Sequence, residues 1–182
     1  MNITRVDIEG LLLIEPKVFG DQRGFFVETW NAHRYCEAGI TAAFVQDNLS
    51  FSRRGALRGL HFQNPAVQAK LISVLQGEVF DVAVDIRRSS PTFGRWHGVN
   101  LSGDNQRRFF IPPGFAHGFA VLSESALLFY KCTEFYAPQH EAIIAWNDPG
   151  IGIQWPVANP VLSDKDQRGL RLKDVPPEKL FP

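Results

Sequence analysis

Cysteine is nearly absent: Cys36 and Cys132 are the only two in 182 residues, too few for a disulfide framework, and neither sits in a close cluster of metal-binding side chains. A reducing compartment suits such a chain. Neither charge is in surplus, since Lys plus Arg and Asp plus Glu each number 19, so no global field exists to hold nucleic acid or an anionic membrane. Any anionic ligand must be met by locally placed cations. The pairs Arg53-Arg54, Arg87-Arg88 and Arg107-Arg108 read first as solvated surface. Long apolar runs are missing too. Leu11 to Ile14 is preceded by Asp7 and Glu9 and followed by Glu15 and Lys17, too short and too charged at its flanks for a signal peptide or a membrane span. A cytoplasmic protein with no nucleic-acid or membrane partner is the expectation. No repeat, linker or low-complexity stretch is present, and 45% hydrophobic content over this length can bury one core, so 1–182 is expected to be a single domain.

What is there is mostly a β pattern. The 15 glycines and 12 prolines punctuate short runs rich in Val, Ile, Leu and Phe, as in a sandwich or barrel. From Phe80 to Ile86, Phe80, Val82, Val84 and Ile86 alternate with Asp81, Ala83 and Asp85, the period of a strand with one packed face. Gln76-Gly77 separates it from the run Leu71 to Leu75 and reads as a hairpin turn opening a meander. Further strands are expected at Phe109 to Ile111, Gly118 to Leu122 and Ala126 to Tyr136, the last placing Tyr130 on one face with Leu128, Cys132, Glu134 and Tyr136. Helix is scarce. Asn31 can cap a short helix from Ala32 to Ala38 that stops at Gly39, and a turn can start at Ser163 with its side chain accepting from the Asp166 backbone. The sum is an all-β chain, an antiparallel double-sheet jelly roll with a few short helices.

Chemistry concentrates in two segments. Leu57-Arg58-Gly59-Leu60-His61-Phe62-Gln63 is followed by Lys70, so a base and a fixed cation lie close on a β scaffold. Proton abstraction beside a carbonyl requires such a pair, the base taking the proton while the cation holds the enolate oxygen. Alone, His61 reads as a structural strand histidine and Lys70 as a solvated strand end. Arg58 and His61 are three residues apart and would face opposite ways in an ideal strand; a bulge near Gly59 reconciles them. The second segment, Pro112-Pro113-Gly114-Phe115-Ala116-His117, has the Pro-x-Gly-x-x-His pattern and resembles the second motif of the cupin superfamily, whose histidine usually binds a metal. The first cupin motif fails here. Gln63 stands where a second histidine would be needed and no acidic ligand follows at the usual spacing, so no metal is expected.

Several long motifs in order then resemble the dTDP-4-dehydrorhamnose 3,5-epimerase family. They are Phe19-Gly20-Asp21-Gln22-Arg23-Gly24-Phe25-Phe26, Phe44-Val45-Gln46-Asp47-Asn48, Leu57 to Gln63, Gly77 to Asp85, Ser90-Pro91-Thr92-Phe93-Gly94, Pro112 to His117, Tyr130-Lys131, Trp146-Asn147-Asp148-Pro149 and Leu162-Ser163-Asp164-Lys165-Asp166. The resemblance covers nearly the whole chain. It implies a cupin-like epimerase without cofactor that inverts C3 and C5 of dTDP-4-dehydro-6-deoxy-D-glucose to give dTDP-4-dehydro-L-rhamnose, and a homodimer paired through its sheets. It also implies roles: His61 as general base with Asp166 paired to it, Tyr130 as general acid, and Lys70 on the enolate oxygen. Arg23, Arg58 and Lys165 suit the diphosphate, while Glu28, Gln46, Asp47, Asn48, Gln63, His117 and Glu141 complete the sugar-nucleotide site, with Phe26 and Tyr136 as base-stacking surfaces. Without the resemblance, Asp166 reads as a helix-cap carboxylate and Tyr130 as a half-buried strand aromatic. The rival readings are a relative inverting one centre or isomerising the ketone, a non-catalytic sugar-binding cupin, and a metal-dependent oxygenase.

Overall fold

A computed structural model describes residues 1–182. Thirteen strands carry the chain: β1 (Asn2–Arg5), β2 (Leu12–Glu15), β3 (Val18–Asp21), β4 (Gly24–Val27), β5 (Gln46–Arg53), β6 (Leu57–Gln63), β7 (Lys70–Gln76), β8 (Glu78–Asp85), β9 (Trp96–Ser102), β10 (Arg108–Ile111), β11 (Phe115–Val121), β12 (Ser125–Cys132) and β13 (Glu141–Ile143). The one α-helix is α1 (Ala32–Glu37), where Asn31 Oδ1 accepts from the Arg34 backbone N–H at 3.3 Å and Gly39 follows at φ +89°. The other helical pieces are single 3₁₀ turns, one of them Asp166–Arg168, entered by the expected bond from Asp166 N–H to Ser163 Oγ at 3.2 Å. The strands form a six-stranded sheet in the order β1-β2-β10-β7-β12-β5, a five-stranded sheet in the order β13-β6-β11-β8-β9, and the separate hairpin β3-β4. All the strand pairings in the two sheets are antiparallel. This is a cupin-like jelly roll.

The core has three parts. Between the sheets lie Ile72, Val74, Val79, Ala83, Phe109 and Leu128 with their neighbours, and Tyr130 packs against them. The outer face of the five-stranded sheet is sealed by the C-terminal segment through Ile151, Leu172, Val175 and Leu180 on Val82, Val84 and Ile86. On the outer face of the six-stranded sheet, Tyr35 of α1 packs with Ile14, Leu71 and Phe110. Burying roughly 25 cal/mol per Å² of apolar surface, these layers supply the drive that fixes the sheets.

Four expectations are corrected. Gln76-Gly77 does not turn a hairpin, because β7 pairs with β10 and β12 while β8 pairs with β9 and β11 in the other sheet. Gly77 is a corner between sheets, at φ +79° and so tight that a Cβ would lie 2.0 Å from the Ser125 carbonyl oxygen. β8 is packed on both faces, not one: Phe80, Val82 and Val84 meet the C-terminal layer, while Val79 and Ala83 face the barrel interior and leave Asp81 and Asp85 buried. β12 stops at Cys132, so Glu134 and Tyr136 lie beyond it. Of the arginine pairs, Arg108 is buried and donates to the carbonyls of Glu28 and Thr29 and to Tyr35 Oη at 3.1, 2.7 and 2.6 Å, pinning the segment after β4 to the sheet. No helix is long and apolar enough to cross a membrane.

Candidate active site

The sheets enclose a cavity of about 320 Å³ whose two walls carry different chemistry. Residues facing each other across an antiparallel ladder share one side of the sheet, so strand register orders the wall in rungs. On the six-stranded sheet the inward rungs are Gln46, Cys132 and Lys70, then Asn48, Tyr130 and Ile72, then Ser50, Leu128 and Val74. On the five-stranded sheet His61 sits opposite His117, and Arg58 sits opposite Phe119. Two residues of β11 there span three of β6, which is the bulge anticipated near Gly59, and it brings Arg58 and His61 to the same cavity. The strands touch closely at that point: a Cβ on Gly118 would lie 2.7 Å from the Arg58 carbonyl oxygen.

His61 and Asp166 are joined across the fold, Nε2 to Oδ1 at 2.5 Å. Ser163 Oγ donates to the other carboxylate oxygen at 2.8 Å. Burial raises the Asp166 pKa, but the bonds from His61 and Ser163 outweigh it and leave it below the ordinary value, so the group is an anion beside the imidazole. On the opposite wall burial pushes Tyr130 up, with Cys132 adding to it, which keeps the phenol protonated at neutral pH. Burial lowers Lys70, the effect a desolvated ammonium always shows. His117 is buried with Nε2 3.0 Å from both oxygens of Asp81.

At the mouth, Lys165 Nζ bonds Glu141 at 2.7 and 2.9 Å, and Tyr136 Oη donates to the same carboxylate at 3.2 Å. Burial works to lower Lys165, and the Glu141 bonds reverse it to a net rise. Gln46 accepts from the Tyr136 backbone N–H at 2.9 Å and donates to Asn48 at 3.0 Å. Gln63 lines the cavity, yet its amide is committed to scaffold: it donates to the carbonyls of Ala66 and Phe135 and accepts from the Ala137 N–H. The donors do not fit a transition metal. His61 and His117 each have a carboxylate on Nε2, and nowhere do three or more His, Cys, Asp or Glu side chains gather as a ligand set.

The cavity thus collects His61, Tyr130, Lys70, Arg58, Gln46, Asn48, Gln63, His117, Tyr136, Glu141 and Lys165, with Asp166 behind His61. Four sequence candidates lie elsewhere. Arg23 and Phe26 are on the exposed β3-β4 hairpin, Arg23 paired with Asp21 at 2.6 Å and Phe26 67% exposed. Glu28 pairs with Arg34 at 2.9 Å, and Asp47 points out of the sheet to Lys131 at 2.7 Å. Sequence reading passed over Ser50 and Gln68, which also line the cavity. Ser50 is recoverable from the period of two that starts at Gln46 and Asn48.

A family model described as dTDP-4-dehydrorhamnose 3,5-epimerase matches residues 5–174. The chain belongs to that family. The epimerase of this family from Shigella flexneri is 55% identical over 177 residues, covering 96% of this chain and 98% of that one. The crystal structure of dTDP-6-deoxy-D-glucose-3,5-epimerase from Legionella pneumophila, in complex with dTDP-4-keto-L-rhamnose, superposes with a TM-score of 0.97 at 54% identity, covering 99% and 97% of the two chains. A 3'-monoepimerase from Streptomyces bikiniensis in complex with dTDP-quinovose shares the fold at 35% identity, with a TM-score of 0.87 over 92% of this chain and 86% of that one. The epimerase scaffold therefore spans relatives of two specificities.

Proposed function

We propose that this chain inverts C3 and C5 of dTDP-4-dehydro-6-deoxy-D-glucose, giving dTDP-4-dehydro-L-rhamnose, with His61 as base and Tyr130 as acid. One observation carries the mechanism: the histidine with its carboxylate and the protonated tyrosine stand on opposite walls of one cavity that also holds Lys70. Inversion needs that division. His61 takes the proton from carbon, the C–H electron pair moves into the enolate, and the negative charge on O4 is met by the Lys70 ammonium. Tyr130 then delivers a proton on the other face. The resulting imidazolium and phenolate exchange protons with solvent before the next centre is processed. Both carbons are α to the same ketone, so one set of groups serves both. Only protons move, and no oxidation state changes, so the scheme calls for no cofactor.

Arg58 and Lys165 suit the diphosphate, Gln46, Asn48, His117 and Glu141 the polar groups of the ligand, and Tyr136 at the mouth the thymine ring. Arg23, Phe26, Glu28 and Asp47 lie off the cavity of their own chain, and the exposed hairpin is the means by which Arg23 and Phe26 would reach the cavity of a second copy. On this reading the protein works as a homodimer, in the cytoplasm, where its two free thiols are kept reduced.

Proton NMR of the enzyme with substrate in heavy water tests the scheme. The wild type should place deuterium at both C3 and C5; label at one carbon alone would assign a single-centre epimerase, and none would leave a binding protein. His61→Ala should abolish wash-in, by about a hundred- to ten-thousand-fold. Tyr130→Phe should keep exchange and lose inversion, because His61 can return the proton only to the face it came from. A Tyr130→Phe protein that epimerises normally would sink the assignment of the acid.

A further inference from the structure

The carboxylate most deeply sealed in the barrel takes no part in that scheme. Asp81 on β8 has 0% exposure, and its two oxygens share a single donor, His117 Nε2, at 3.0 Å each. One N–H is too little for a carboxylate removed from water. Asp85, the other fully buried acid on the strand, has the Arg87 guanidinium at 2.7 Å and hydroxyls from Ser90 and Thr92 at 2.6 Å each. Asp81 has no cation in contact. Lys70 is the reverse case: it lines the cavity without a carboxylate in contact, whereas Lys165 nearby is paired to Glu141 at 2.7 Å. His117 links the two, touching Asp81 on one side and lining the cavity with Lys70 on the other.

We propose that Asp81 is a positioning residue of the epimerase site, a counter-anion one side chain removed from the substrate that keeps Lys70 charged and holds His117 with its proton on Nε2. The proposal rests on the enolate reading for its consequence, though not for the ion pairing itself. The groups that act electrostatically on Lys70 are Cys132 on β12, Asp81 on β8, Glu141 on β13 and Lys165, and Lys70 in turn acts on His117 of β11. Burial lowers Lys70; Cys132, Asp81 and Glu141 oppose that, and Lys165 adds to it. Burial also raises the Cys132 thiol, so it is neutral at pH 7, and Glu141 already serves Lys165. Burial raises the Asp81 carboxyl, and His117 and Lys70 work to lower it; with Cys132 neutral and Glu141 committed, Asp81 remains as the anion left for Lys70. With His117 uncharged, Lys70 and Asp81 leave this buried group neutral in total, and the enolate oxygen then meets a cation whose charge survives desolvation.

The test is the titration of Lys70 itself. In protein carrying 13Cε-lysine, its NMR signal is assigned by its loss in Lys70→Met, then followed against pH in the wild type and in Asp81→Asn. Removing the anion should lower the Lys70 pKa by about one unit or more. Hydrogen exchange at C3 and C5, measured in a Tyr130→Phe background so that the phenol does not contribute, should lose its alkaline limb at correspondingly lower pH. An unchanged Lys70 titration overturns the proposal. A shifted titration in a protein that shows no wash-in would instead uphold the pairing and discard the enolate chemistry. Should Asp81→Asn fail to fold, stability decides: Lys70→Met strands the carboxylate, so Asp81→Asn combined with Lys70→Met should melt above Lys70→Met alone. A double variant melting at or below that single one overturns the pairing.

Discussion

His61 meets Asp166 through Nε2, so in the proposed scheme Nδ1 is the nitrogen that takes the proton from carbon. The tautomer follows from the carboxylate: an anion at Nε2 requires N–H there and a lone pair on Nδ1. Because hydrogen bonds hold the folded pKa of Asp166 below its unfolded value, its contribution to stability is complete above the ordinary carboxylate range. That contribution is lost as pH falls through the lowered value. Asp166→Asn should reverse the orientation, since an amide can present N–H₂ to Nε2 and force the proton onto Nδ1. Deuterium wash-in at both carbons is then expected to fall by about a hundredfold or more, with the circular dichroism spectrum unchanged. A rate within a few-fold of wild type would show that the carboxylate does not orient the base. The same residue illustrates how sequence can mislead: Ser163-x-x-Asp166 is a sound turn motif, and the turn forms, yet the aspartate side chain is also engaged by a histidine 105 positions away.

At the scale of elements, β8 is the strand on which most depends. Its outer residues are fastened by the C-terminal layer and its end by Asp85, which accepts from the Arg87 backbone N–H, Nε and Nη2 and from Ser90 and Thr92. Burial opposes ionisation of Asp85, but these bonds prevail and lower its pKa to about 2. A depressed folded value stabilises the protein above the unfolded pKa near 3.8, and the gain fades as pH falls toward 2. Asp85→Asn should therefore lose about 2 kcal/mol at pH 7 and melt with a flatter dependence on pH between about 4 and 2, as calorimetry across that range would record. A variant as stable as wild type at pH 7 would contradict the clamp. The alternation along β8 announced a strand, but its polar positions, Asp81 and Asp85, suggested a wet face. They are dry because their side of the strand faces the interior of a closed sandwich, where the between-sheet core lies.

For the whole molecule, the outward face of β5 and the β3-β4 hairpin stand apart from the rest of the surface. β5 ends the six-stranded sheet with one edge unpaired, and Leu49 and Phe51 are each 59% exposed. On the hairpin Phe25 is 62% exposed beside Phe26. Apolar side chains on a sheet edge invite a partner strand. Sedimentation equilibrium should return a dimer, and Leu49→Arg with Phe51→Arg should convert it to monomer. If the hairpin serves the neighbour's cavity, the monomer should also bind dTDP at least tenfold more weakly by calorimetry. A monomeric variant with unchanged affinity would confine Arg23 and Phe26 to a structural role.

The sequence by itself determined the local order of this protein. The period of two marked the strands around Val82 and Tyr130, and Asn31 and Gly39 bounded the helix. These follow from backbone and side-chain preferences that act over a few residues. Tertiary structure alone decided which wall each strand joins. Gly77 turns a corner where its composition promised a hairpin, and Asp81 is hidden where its alternation promised solvent. Arg58 and His61 share a cavity because β6 gains a residue against β11. The reason is physical: register, layer order and burial are set by packing among segments distant in the chain, and no window of sequence contains both partners.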